Sequence, residues 1–249
     1  MRSLSAQDLI DVWEWGQVQP HARRVLGLLA AALPDVPAEQ LEALSIGRRD
    51  QWLLSIRESL FGPSLFCLAD CPACRGAVEL RIQTDELGTE DGAPDPGEPT
   101  EGVRSLTVGE AEIRWRPLEY RDLMALETAA DLGASRSLLL RRAVVEARRG
   151  GEPVTADALT ETEQAELLRA LEHADPLARL ECALTCPTCG HGWNALFDIA
   201  AFLWSEVETV ARRLLYEVHA LASAYGWREA EILALPQRRR WAYLEMLGA

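Results

Sequence analysis

Two near-identical quartets, Cys71-Pro-Ala-Cys74 and Cys186-Pro-Thr-Cys189, constrain this 249-residue chain more than any other feature. Each is a Cys-x-x-Cys turn with strand-like sequence on both sides. Such a turn aims two sulfurs at one point, and its backbone amides can donate to them. The proline after the first cysteine fixes φ there, and the glycine after Cys189 admits a left-handed residue. One turn supplies two sulfurs. Zinc takes four ligands in a tetrahedron and binds thiolates well, so two turns complete a site. The pattern predicts a structural Zn2+ on Cys71, Cys74, Cys186 and Cys189. That is a zinc ribbon with halves at 64–84 and 178–198 and an insertion between them.

Other readings of the cysteines stay open. A redox Cys-x-x-Cys heads a helix, whose dipole lowers the thiol pKa, whereas strands follow here. An iron–sulfur cluster is admitted by a Cys-x3-Cys-x2-Cys run that occurs twice, at Cys67, Cys71 and Cys74 and at Cys182, Cys186 and Cys189. The cysteines can also be buried without metal. Cys67 and Cys182 read as small buried hydrophobes leading into each turn. His191 follows Cys189 closely and could replace one of the four ligands, an alternative to the all-cysteine set.

Around this centre the chain reads as mainly α with a small β part. The N-terminal region, 1–63, has apolar residues at helical spacing: Leu9, Val12 and Trp13, then Val25, Leu28, Leu29 and Leu33. A further helix follows Gly47-Arg-Arg-Asp50 and buries Leu53, Leu54, Ile56 and Leu60. Ala77-Val-Glu-Leu-Arg-Ile alternates as a half-buried strand does. Residues 85–102 are expected to be an acidic flexible loop: 85–101 hold seven acids, no base, three prolines and three glycines. The insertion, 103–177, reads as a hairpin turning at Gly109-Glu110 and then helices near 119–131, 135–149 and 161–174. Thr160-Glu-Thr-Glu163 caps the last of these. In the C-terminal helical region, 199–249, Leu203, Val207, Val210, Leu214, Val218 and Leu221 mark one long helix. Gly226 ends it, and shorter helices follow at 228–234 and 237–247.

Bulk properties narrow the function. The formal charge of −14 repels phosphate backbones and anionic lipid, which argues against nucleic acid and membrane surfaces as partners. The longest apolar run, from Val25 to Leu33, falls short of the roughly 20 residues a spanning helix needs, so no membrane insertion is expected. No signal peptide is visible, so the cysteines are expected as thiols or metal thiolates in a reducing, cytoplasmic setting. None of His21, His173, His191 and His219 belongs to a nucleophile motif. No phosphate-binding glycine loop and no helical zinc-protease motif occurs. The expectation is a protein that is not an enzyme. Arg48-Arg49-Asp50 and Arg238-Arg239-Arg240 read as solvated faces or as docking patches. Glu206, Glu208, Arg212 and Arg213 read as a solvated helical face.

Three stretches carry a family resemblance. They are Ile46-Gly-Arg-Arg-Asp-Gln-Trp-Leu-Leu-Ser-Ile-Arg-Glu-Ser-Leu-Phe-Gly62 ahead of the first Cys-Pro-x-Cys, Cys186-Pro-Thr-Cys-Gly-His-Gly-Trp-Asn-Ala-Leu-Phe-Asp-Ile199, and Tyr225-Gly-Trp-Arg-Glu-Ala-Glu-Ile-Leu-Ala-Leu-Pro-Gln-Arg-Arg-Arg240. Together they resemble the T4-type phage baseplate proteins, also described as baseplate hub assembly chaperones, with relatives in gene clusters for phage-tail-like contractile injection systems. The resemblance implies a non-enzymatic structural or assembly role, with baseplate or hub proteins of a contractile tail particle as partners. It supplies no catalytic residues. The alternatives are a zinc-ribbon nucleic-acid-binding protein and a Cys-x-x-Cys thiol oxidoreductase.

Overall fold

The computed structural model describes residues 1–87 and 102–248, and it is mostly helical (56%) with small sheets. In chain order the helices are α1 (Ala6–Gly16), α2 (His21–Ala32), α3 (Ala38–Glu42), α4 (Ile46–Phe61), α5 (Tyr120–Met124), α6 (Leu132–Ala143), α7 (Glu161–Ala174), α8 (Ile199–Tyr225), α9 (Glu229–Leu233) and α10 (Gln237–Leu247). The strands are β1 (Ser64–Asp70), β2 (Ala77–Gln83), β3 (Arg104–Val108), β4 (Ala111–Trp115), β5 (Val144–Arg149), β6 (Glu152–Val154), β7 (Glu181–Thr185) and β8 (Gly192–Leu196). The chain divides into two compact units, Met1–Asp35 with Ala200–Ala249, and Val36–Ile199. Among the described residues no helix is long and apolar enough to cross a membrane. Most of the expected acidic loop, 88–101, lies outside the described residues; its start, Asp85–Leu87, is a 3-10 turn that buries Leu87.

In the first unit Ser5 caps α1 reciprocally with Asp8, and Arg2 clamps Asp8 with two bonds of 2.7 Å. That clamp holds the Asp8 carboxyl well below its usual range. The apolar stripe of α8 is buried as its spacing predicts, through Leu203, Val207, Leu214 and Leu221. Gly16, at the end of α1, is needed for close approach: a Cβ there would lie 2.2 Å from the Trp204 ring. The Arg238-Arg239-Arg240 group is split by its environment. Arg238 and Arg239 are exposed, while Arg240 is buried against Glu217 and is not part of a surface patch.

In the second unit α4 starts at Ile46 rather than after Asp50, because Ser45 accepts from the Arg48 amide and caps the helix. Asp175 adds a carboxylate at this N-terminus, accepting from the Gly47 amide at 2.9 Å, where the helix dipole favours negative charge. The expected Arg48-Arg49-Asp50 surface group is also corrected: Arg49 and Asp50 are buried and paired at 2.6 Å. Burial outweighs the pull of Arg49 and pushes the Asp50 carboxyl up to about 6, with Asp198 and Asp175 adding to the rise. A group that holds its proton more tightly folded than unfolded stabilises most below its unfolded pKa, and this is lost as pH rises through the folded value. Relative to Asp50→Asn, the natural protein is therefore expected to lose about 2 kcal/mol between pH 4 and 6.5. Denaturant unfolding of both proteins at several pH values reads this, and titrations common to both cancel. A difference that is flat or of opposite sign refutes the assignment.

The insertion departs from the sequence reading at two elements. The helix expected near 119–131 is only α5, Tyr120–Met124, followed by a 3-10 turn over Ala125–Thr128. The helix expected over 135–149 stops at Ala143, and Val144–Arg149 forms β5. β5 pairs antiparallel with β4, and β6 pairs with β5, so the predicted β3–β4 hairpin grows into a sheet ordered β3-β4-β5-β6. The cause is local. β-branched Val144 and Val145 disfavour helix. Gly150 and Gly151 then take φ of +59° and +85°, as a tight two-residue hairpin turn requires. The β3–β4 turn lies at Gly109-Glu110 as expected, with Gly109 at φ +60°. Ile113, Trp115, Leu140, Ala147, Leu159 and Leu167 form the core of this part. Asp122, fully buried, ties it together by accepting from Arg116, Arg142 and the Glu119 amide.

Candidate metal centre

Two hairpins of the same build carry the four cysteines. β1 and β2 pair from Ser64↔Gln83 to Asp70↔Ala77, and β7 and β8 from Glu181↔Leu196 to Thr185↔Gly192. In the first turn the Cys71 amide donates to the Gly76 carbonyl (3.0 Å) and the Arg75 amide to the Cys71 carbonyl (2.8 Å). The second repeats this, Cys186 to His191 and Gly190 to Cys186, both at 2.9 Å. The residue after the second cysteine is left-handed in both, with φ +57° at Arg75 and +72° at Gly190. The glycine expected there is present only in the second turn. Arg75 holds the same backbone at a steric cost on the order of 1–2 kcal/mol.

The sulfurs converge across the hairpins. Cys71 Sγ lies 3.7 Å from Cys189 Sγ, and Cys74 Sγ lies 3.7 Å from Cys186 Sγ. All four lie within 4.8 Å of one another. Each hairpin contributes one buried sulfur residue, Cys71 or Cys186, and one exposed, Cys74 or Cys189. Val78 and Trp193 pack around the buried pair. A disulfide needs sulfurs about 2.05 Å apart, so these spacings are not those of bonded pairs. Four ligands at about 2.3 Å from one ion in a tetrahedron stand about 3.8 Å apart. The observed spacing thus leaves room for a single ion at the centre, not for a multi-atom cluster.

Charge sharpens the point. The amides of Cys189 and Thr188 donate to the Cys186 sulfur and draw its thiol down to about 6. The His191 amide acts likewise on Cys189, but desolvation and the crowding of Cys74, Cys186 and Cys71 outweigh it and push that thiol up to about 12. The Cys186 thiolate is easily made here and the Cys189 thiolate beside it is not, unless a cation stands among them. The residues therefore suit a metal ion bound by thiolates.

The other candidates fall outside the cluster. His191 stacks beside Trp193, with centroids 6.2 Å apart, and serves the turn through its backbone. Cys67 and Cys182 are half-buried on β1 and β7 rather than fully buried, and burial beside Glu86 raises the Cys182 thiol pKa. His219 is exposed on α8, and Arg212 pairs with Glu208 at 2.7 Å on a solvated face. Sequence reasoning missed Glu217, whose buried carboxylate organises Arg240, Trp241 and Arg213; its only signal was a charge on the apolar stripe of α8. No protein-family model, curated protein or solved structure matches the chain.

Proposed function

We propose that this chain is a non-enzymatic structural or assembly protein whose second unit is clasped by zinc in a zinc-ribbon arrangement. Cys71, Cys74, Cys186 and Cys189 would hold the ion, which when bound neutralises the thiolates and pins two hairpins together. The observation that carries the reading is the convergence of four sulfurs, two from each hairpin, at tetrahedral spacing around one point. Four thiolates would fill the four positions of a tetrahedral ion, the mark of structural rather than catalytic zinc. The turns join strands and do not head helices, unlike redox Cys-x-x-Cys sites.

The partner class follows from the sequence resemblance. We assign the chain to the baseplate or hub of a contractile, phage-tail-like particle, built in the cytoplasm, where it acts through protein contacts. The test is isolation of the tagged chain from its own host during particle production. Sheath and baseplate components are expected to accompany it in fixed proportion. Recovery of nucleic acid at physiological salt, with those components absent, would overturn the assignment in favour of a nucleic-acid-binding ribbon.

A further inference from the structure

We propose that β1 is a self-complementary edge through which two copies of this chain pair antiparallel. The phase of the hairpin is set at both ends: the Thr84 amide donates to the Pro63 carbonyl and the Cys71 amide to the Gly76 carbonyl, both at 3.0 Å. Hydrogen-bonded pairs alternate along an antiparallel ladder. Leu65, Cys67 and Ala69 therefore turn their N–H and C=O groups toward β2, and Ser64, Phe66, Leu68 and Asp70 turn theirs away. Among the described residues no strand lies on that side. The side chains of these outward residues share one face, and Phe66 and Leu68 are 70% and 74% exposed.

Among the four edges of these two hairpins, β1 carries the most large apolar side chains at outward positions. Proteins protect free edges with charges, prolines or bulges. On β2 the outward positions include Glu79 and Arg81, and the Gln83 amide is already taken by Glu86 at 3.0 Å. On β7 they start with charged Glu181, and on β8 the one large apolar residue is Leu196. β1 presents two large apolar residues in an unbulged ladder of seven pairs, with no proline inside it.

The occupant follows from register and charge. With a two-fold axis at Cys67, Phe66 stands opposite the partner's Leu68, and Leu68 opposite the partner's Phe66. Ser64 stands opposite the partner's Asp70. Arg81 donates to Ser64 Oγ at 2.9 Å and lies over the Phe66 ring at 5.5 Å. Each end of the joined ladder then brings an acid beside a base, and the four central side chains are apolar. The two Asp70 carboxylates end up about 20 Å apart by strand rise, beyond the screening length at physiological salt. A chain of net charge −14 can therefore meet its copy here without strong local repulsion. The contact is small, so the dimer is weak and concentration-dependent.

The test uses the full, metal-loaded chain. Light scattering from about 1 to about 100 μM, a range chosen for a small interface, is expected to show the mass rising from 27.6 kDa toward twice that value. Hydrogen exchange at the Phe66 and Leu68 amides is expected to slow over the same range. Phe66→Lys with Leu68→Lys sets lysine against lysine across the axis and is expected to abolish both effects. Both positions are exposed, so metal content and circular dichroism are expected to stay unchanged. A monomer at every concentration, a dimer that survives the double substitution, or protection confined to other amides overturns the proposal. None of these outcomes touches the zinc reading, which rests on metal content.

Discussion

Cys71→Ser is expected to abolish stoichiometric zinc binding and to destabilise the Val36–Ile199 unit by several kcal/mol in the same step. Cys71 is 1% exposed, and its sulfur lies 3.7 Å from Cys189 across the two hairpins. Serine removes one of four thiolates and leaves three, a poorer and more open site. Each hairpin has only two strands, and two-stranded hairpins are marginal alone. Joining them is what a bound metal would contribute, and binding energy of that kind is folding energy. The loss should fall short of that in isolated zinc-finger peptides, because α4 and the β3–β6 sheet keep cores of their own. Metal content by mass spectrometry and thermal unfolding, each with and without chelator, measure the effect. Chelator should bring the natural protein down to the Cys71→Ser melting temperature and leave the variant unmoved. Cys67→Ser, outside the cluster, should keep its zinc. A natural protein whose melting temperature ignores the chelator would remove the structural role.

The four-cysteine cluster is legible because it depends on short-range sequence: a proline-stiffened Cys-x-x-Cys between alternating strands makes a turn in almost any context. What spacing cannot show is the cross-pairing, Cys71 with Cys189 and Cys74 with Cys186, which arises only when the hairpins meet. The long helix α8 was legible for a similar reason, since its stripe spans many turns. β5 was not. Its six residues, Val-Val-Glu-Ala-Arg-Arg, extend the helical pattern of α6, and only pairing with β4 decides otherwise. Gly150-Gly151 was the overlooked signal. The deepest misreading concerned charge. Arg49, Asp50 and Arg240 read as surface residues because charges usually are. Each is buried because a partner waits in the fold, and for Arg240 that partner is 23 residues away.

That last pair sets the second large effect: Glu217→Ala is expected to destabilise the first unit by about 3–5 kcal/mol, the range for breaking a buried ion pair. The Glu217 and Arg240 side chains are 3% and 5% exposed, and Arg240 Nε donates to Glu217 Oε2 at 2.7 Å. The other carboxylate oxygen accepts from Trp241 Nε1 at 3.0 Å and lies 3.5 Å from Arg213 Nε. Without it the Arg240 guanidinium stays buried with the Leu235 carbonyl, 2.6 Å from Nη1, as its remaining bonded acceptor. The indole N–H also loses its acceptor. Glu217→Gln keeps the shape and an acceptor oxygen but not the charge, and should cost less than half as much. The decisive comparison is the double variant Glu217→Leu with Arg240→Met. If the single-variant loss comes from a stranded charge, replacing both partners by apolar groups of similar volume should recover most of it. If the loss is one of packing, the double variant should be at least as unstable as Glu217→Ala. Denaturant unfolding separates the two outcomes. Hydrogen exchange should locate the damage in α10, because Arg240 and Trp241 tie that helix to α8.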